Sequence, residues 1–181
     1  MRKILLLLIL LTLPVFAQDW AKARLEKSPR HLEWVTVKAA SRSLECFVAY
    51  PEVKGKAPCV VLIHEIFGLT DWVRLVADQL AEEGYVVIVP DLLSQMAPKG
   101  GGTAELGGDD AARKVVGTLS PEQVTSDLKA VAAYVQALPA SSPEVSVAGF
   151  CWGDSQSFRL ATEEKSLKRA LVLYGSAPEH P

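Results

Sequence analysis

The apolar positions change period repeatedly along the chain, and each change marks an element. Residues 33–38 and 44–50 alternate as half-buried strands do, with a turn at Ser41-Arg42-Ser43 between them, which predicts a hairpin. Residues 51–58 read as a Lys/Gly/Pro loop, and residues 59–63 are continuously apolar, the pattern of a strand buried on both faces of a parallel sheet. Thr70 or Asp71 can cap a helix that carries Val73, Val76, Ala77, Leu80 and Ala81 on one face, and Gly84 stops it. Residues 86–89 form the next buried strand. Ser120-Pro121-Glu122-Gln123 has the form of a capping box with proline in the first turn. It opens a helix striped by Val124, Leu128, Val131, Val135 and Leu138, and Pro139 ends it. A strand over 145–148, a helix over 152–162 and a strand over 170–174 complete the series.

Alternating strands and helices of this kind predict an α/β fold: a mostly parallel sheet with helices on both faces and right-handed crossovers. Residues 94–119 depart from the alternation. They carry Gly100-Gly101-Gly102 and Gly107-Gly108, with a possible short helix over 110–116. An excursion that long at the carboxyl edge of a strand is usually functional or mobile, and this one is read as a lid-like insertion. Residues 18–31 are polar and charged and form a helical or loose lead-in.

The N-terminus stands apart. Arg2 and Lys3 precede an apolar run from Ile4 to Leu13, then Pro14 and Val15-Phe16-Ala17. This is the pattern of a secretory signal peptide over residues 1–17, cleaved after Ala17. The run is too short for the roughly 20 residues that span a bilayer, so no stable membrane anchor is expected. The mature chain, residues 18–181, is expected to be exported to a periplasm or secreted.

Composition narrows the function classes. The chain has 181 residues, enough for one domain, with 49% hydrophobic and 22% charged residues. Its net charge of −2 and the lack of any Lys/Arg run leave no footprint for nucleic acid. Three cysteines cannot make a dense disulfide framework, and no Cys/His spacing fits zinc. No metal or organic cofactor is expected, and oligomeric state is not legible. Cys46 and Cys59 fall on strands expected to be neighbours. Two buried thiols are the preferred reading, with pairing in an oxidising compartment as the alternative.

The candidate chemistry lies at Gly149-Phe150-Cys151-Trp152-Gly153, a G-x-nucleophile-x-G pattern between a buried strand and a helix. The glycines permit a turn too tight for side chains. The turn lifts Cys151 above the sheet at a helix N-terminus, where dipole and free N–H groups favour a thiolate. The bland alternative is a buried structural cysteine in a Gly-rich turn. In this reading the backbone N–H of Trp152 is an oxyanion donor.

A set of segments in this order carries a resemblance: Ile63-His64-Glu65-Ile66-Phe67-Gly68-Leu69, Val89-Pro90-Asp91-Leu92-Leu93, Gly149-Phe150-Cys151-Trp152-Gly153 and Leu173-Tyr174-Gly175. Together they resemble the dienelactone hydrolase family of α/β-hydrolases, from about residue 30 to the end of the chain. The resemblance implies a hydrolase that cleaves an ester or lactone through a Cys–His–Asp triad. It matches Cys151 to the nucleophile, Glu65 to the carboxyl beside the resting thiol, and the Ile66 N–H to the second oxyanion donor. On its own, Glu65 is a carboxyl at the carboxyl edge of an apolar strand, where α/β proteins place ligands, or else a surface-loop residue. His64 reads as a hydrogen-bonded structural residue rather than the base.

The sequence departs from the family at several points. After Cys151 the only His is His180, beside Glu179, and neither matches the family's acid or His; the expected α/β-hydrolase fold lacks its C-terminal strands. Asp154 stands where the family usually has glycine, with a charge that opposes a thiolate and bulk that crowds the elbow. Gln95 replaces the arginine that grips the carboxylate in dienelactone-specific members. The expected function is therefore dienelactone hydrolase-like cleavage of a small ester or lactone, with a catalytically inactive remnant that at most binds a small ligand as the alternative.

Overall fold

The computed structural model describes residues 13–177. Its elements are α1 (Leu13–Leu25), β1 (Leu32–Lys38), β2 (Ser43–Ala49), β3 (Ala57–Ile63), α2 (Asp71–Glu82), β4 (Val86–Pro90), a 3₁₀ turn (Thr103–Glu105), α3 (Asp109–Val116), α4 (Pro121–Ala137), β5 (Ser141–Gly149), α5 (Trp152–Glu163) and β6 (Arg169–Leu171). The strands form one six-stranded sheet in the order β1-β2-β4-β3-β5-β6. The expected hairpin is present, β1 against β2, and it joins the sheet through an antiparallel β2–β4 pairing. From β4 to β6 every pairing is parallel.

The strand residues point alternately into two cores. On one face Cys46, Val48, Cys59, Val61, Ile63, Ile88 and Val147 meet Val124, Leu128, Val131 and Val135 of α4 and Leu160 of α5. On the other, Phe47, Val60, Leu62, Val87 and Val89 meet α2 through Val73, Ala77 and Ala81, with Ala21 and Leu25 of α1 in the same cluster. This is the α/β fold the sequence predicted. The Thr70 hydroxyl caps α2 by accepting from Val73 N–H, and Ser120 Oγ caps α4 by accepting from Gln123 N–H at 3.1 Å. The capping box is one-sided, because the Gln123 amide turns instead to Asp127 and Ser41. α1 runs across the expected cleavage point, and Ala21 and Leu25, which lie beyond it, are buried.

Four expectations change. β5 begins at Ser141 rather than 145: its first residues are polar and carry no apolar signal, and the register against β3 shifts between Ala57 and Cys59. β6 is shorter than expected, because the chain leaves the sheet after Leu171. Cys46 and Cys59 are not on neighbouring strands; β4 lies between β2 and β3, and both cysteines are buried and free. The lid-like insertion over 94–119 is pinned at Thr103, a tie the sequence did not predict. Asp91, itself buried, accepts from Thr103 N–H at 2.7 Å and from Thr103 Oγ–H at 2.7 Å, and Thr103 Oγ accepts from Leu69 N–H at 3.0 Å. One threonine thus ties the insertion to the loops after β3 and β4.

Candidate active site

The loops after β3, β4 and β5 meet at the carboxyl ends of the parallel strands, where open α/β sheets bind ligands. β5 ends at Gly149 and α5 begins at Trp152, so two residues make the whole turn. Cys151 takes φ 54° and ψ −113°, a conformation that an L-residue adopts only at a cost. The flanking glycines are required by contact. A Cβ on Gly149 would collide with the Gly153 carbonyl, and one on Gly153 would lie 2.5 Å from the His64 carbonyl oxygen and 2.6 Å from that of Ile63. The elbow is therefore pressed, backbone to backbone, onto the end of β3.

The aromatic neighbours of Cys151 diverge. Phe150 meets Trp72 of α2 edge-on, with ring centroids 4.9 Å apart. Trp152 turns to the other face, stacks on the His64 ring at 5.7 Å and packs against Leu93, Ala112 and Val116 of the insertion root. Cys151 itself is half-buried at the first turn of α5, and among the described residues its sulfur has no hydrogen-bond partner. The N–H groups of Trp152 and Ile66 likewise donate to no protein acceptor among the described residues.

His64 is fully buried. Its Nδ1 lies 2.7 Å from the carbonyl oxygen of Glu65, and its Nε2 accepts from Leu92 N–H at 3.3 Å. Burial depresses its pKa, against the opposing pull of the Asp91 charge, so the ring is neutral. With both nitrogens occupied it has no free position for a substrate proton. Glu65 is partly buried, and its carboxyl is raised above the usual range by burial and then by the charge of Asp109 at the start of α3.

Asp154 corrects the sequence expectation of a carboxylate that crowds the elbow. It is fully buried beneath the chain that follows β6, accepting from Leu173 N–H at 3.1 Å and Tyr174 N–H at 2.9 Å. Its bulk fits because Gly175 lies directly over its Cβ. Ser155 Oγ adds a bond from Ser176 N–H at 3.0 Å. These contacts bring Tyr174 to the elbow. The phenol is held above its ordinary range, first by local desolvation and then by negative charge on Cys151, Glu65 and Asp154. The sequence showed Tyr174 only as part of a resemblance; the signal for its position was the pairing of an unusual Asp154 with a Gly twenty-one residues later.

Other candidates fall elsewhere. Gln95 is exposed at φ 66° and lines a groove with Arg42, Met96, Thr118 and Gln123, apart from Cys151. His31 precedes β1, at the end of the sheet opposite the elbow. Glu179 and His180 lie outside the described residues. Among the described residues no group of three or more His, Cys, Asp or Glu side chains could hold a metal ion, and no helix is long and apolar enough to cross a membrane.

A thiol at positive φ on an elbow between a parallel strand and a helix, on this strand order, defines the α/β-hydrolase fold. A structure described as "Putative Dienelactone Hydrolase" from Klebsiella pneumoniae superposes with a TM-score of 0.70 at 26% identity, covering 81% of this chain and 60% of that one. The chain belongs to the dienelactone hydrolase family, whose family model matches residues 44–181. Among curated relatives, a Synechocystis protein named "Putative carboxymethylenebutenolidase" is 35% identical over 149 residues, covering 81% of this chain and 59% of the relative. The carboxymethylenebutenolidase of Pseudomonas putida is 32% identical over 126 residues, covering 67% of this chain and 52% of the enzyme. The chain thus spans a little over half the length of these relatives.

Proposed function

We propose that Cys151 is the nucleophile of an exported hydrolase acting on a small ester or lactone. The observation that carries the reading is the φ 54° elbow, which holds a half-buried sulfur at the N-terminus of α5 with no hydrogen-bond partner among the described residues, where the N–H groups of Trp152 and Ile66 also find no protein acceptor. The helix terminus favours the thiolate, which attacks the carbonyl carbon. The resulting oxyanion is received by the N–H groups of Ile66 and Trp152. Loss of the alkoxide leaves an acyl-thioester, and water completes the hydrolysis. Glu65, whose carboxyl is held above its usual range by burial, lies in the loop after β3 next to the Ile66 donor, and by the family resemblance it is the carboxyl beside the resting thiol. The ester or lactone class follows the lactone chemistry named for the relatives. Gln95, exposed and apart from the elbow, supplies no cation for a substrate carboxylate.

A second reading, acylation or binding without turnover, is favoured by a specific observation: His64 is occupied at both nitrogens and His31 is at the far end of the sheet. One experiment separates the two. Mixed with p-nitrophenyl acetate, the chain should release about one equivalent of p-nitrophenolate in a burst and carry one acetyl group on Cys151 by mass spectrometry. Steady release after the burst supports full hydrolysis, and none supports the acylation-only reading. A burst that survives in Cys151→Ala would overturn the assignment of the nucleophile. Export is tested by N-terminal sequencing after expression in a Gram-negative host, with Gln18 expected as the first residue.

A further inference from the structure

We propose that His64 is the positioning residue of the oxyanion hole: by donating from Nδ1 to the Glu65 carbonyl it aims the Ile66 N–H at the reacting carbonyl oxygen. The inference rests on the reading of Cys151 as nucleophile. Glu65 C=O and Ile66 N–H belong to one peptide group, and in a trans peptide they point in opposite directions. Fixing the oxygen therefore fixes the donor. The turn after β3 supplies one weak tether, Gly68 N–H to the Glu65 oxygen at 3.3 Å. His64 supplies the closer one, at 2.7 Å. A peptide oxygen that accepts a hydrogen bond also polarises its own N–H, which strengthens it as a donor.

The tautomer follows from the partners. Leu92 N–H can only donate, so Nε2 must accept; the Glu65 carbonyl can only accept, so Nδ1 must carry the hydrogen. Both constraints give the same neutral ring. Full burial keeps it in that form, since a second ring proton would face the Leu92 N–H. The same ring stacks on Trp152, whose N–H is the other donor, and the His64 carbonyl lies against Gly153. A single buried imidazole thus bonds to the Glu65–Ile66 peptide and stacks on the side chain of Trp152.

The test uses two reagents on the full chain. With p-nitrophenyl acetate the Cys151 sulfur bonds to the carbonyl carbon, the carbonyl electron pair moves to oxygen, and collapse expels p-nitrophenolate and leaves S-acetyl-Cys151. Iodoacetamide alkylates the same sulfur by displacing iodide, with no oxyanion. His64→Leu and His64→Gln should slow acetylation about 10- to 100-fold, below the roughly 100- to 1,000-fold seen for deleting a donor outright, while alkylation changes less than about threefold. His64→Asn, whose side-chain N–H stands near the Nδ1–H position, should restore most of the acetylation. Parallel changes in both reactions, or none in His64→Leu, overturn the positioning role while leaving Cys151 as nucleophile. Alkylation without any acetylation of the unmodified chain overturns the nucleophile reading and this inference with it. A variant that fails to fold does not rescue the idea, because nitrogen NMR of the unmodified chain must show His64 protonated at Nδ1; protonation at Nε2 overturns it.

Discussion

At the β1 edge of the sheet seven residues pair in register with β2, whereas at the β6 edge only three pair with β5. The first edge is also fastened to a helix. Arg30, in the link between α1 and β1, reaches buried Asp78 of α2 with two bonds of 2.7 Å, and the Arg74 guanidinium lies over the exposed ring of Trp34. At the second edge Arg169, Ala170 and Leu171 are all exposed, and Leu173 and Tyr174 after them are 57% and 65% exposed. What holds that segment is not a ladder but Asp154 and Ser155 on the helix that follows Cys151. The well-secured edge is remote from the chemistry and the weakly secured one borders it. The segment beside the elbow is thus positioned by main-chain bonds to two side chains of α5 rather than by the sheet.

The largest effect is expected at the fastened edge. Arg30→Ala leaves the Asp78 carboxylate buried without its partner, which costs about 3–5 kcal/mol in urea denaturation at pH 7. Burial alone would raise the Asp78 pKa, but the bonds from Arg30 and Ser28 outweigh it and hold the carboxyl below its ordinary range. The stabilisation is therefore complete above the unfolded value near pH 3.9 and is lost as pH falls through the folded one. The gap between the parent chain and Arg30→Ala should narrow on acidification; a gap that widens contradicts the ion-pair account.

At the open edge Asp154→Ala removes the acceptor of two amides, which we expect to cost about 1–3 kcal/mol. Hydrogen exchange at Leu173 and Tyr174 should accelerate while β1 and β2 are unaffected. Uniform acceleration would mean that Asp154 holds the whole fold rather than one edge. The smallest stability effect belongs to Leu171→Lys, within about 0.5 kcal/mol because the side chain is exposed. A charge on an open edge discourages strand pairing between copies, so sedimentation should show less self-association than for the parent chain. Equal association in both would show that copies do not meet along β6.

The strands and helices were legible because long apolar runs and single-face stripes leave one economical packing, as at residues 59–63 and along α4. The glycine-framed cysteine was legible for the same reason, since few other folds need that pattern between a strand and a helix. What the sequence hid depends on contacts between distant residues. Nothing near Thr103 announces that it binds Asp91 and Leu69, so the insertion showed no anchor in the sequence. Asp154 read as an intruder because its partners are main-chain N–H groups, which every residue but proline possesses. Cys46 and Cys59 looked adjacent because β4, later in sequence, inserts between their strands.

The backbone at Cys151 has a consequence for how this chain evolves. At φ 54° and ψ −113° any residue with a Cβ carries a penalty of about 1–3 kcal/mol, whereas glycine occupies that region freely. A copy released from duty would drift toward glycine at 151 and gain stability by doing so. Cys151→Gly should therefore stabilise the fold by about 1–3 kcal/mol, and on the proposed reading the same change would remove the nucleophile, so that relief of the backbone and loss of the sulfur come in one step.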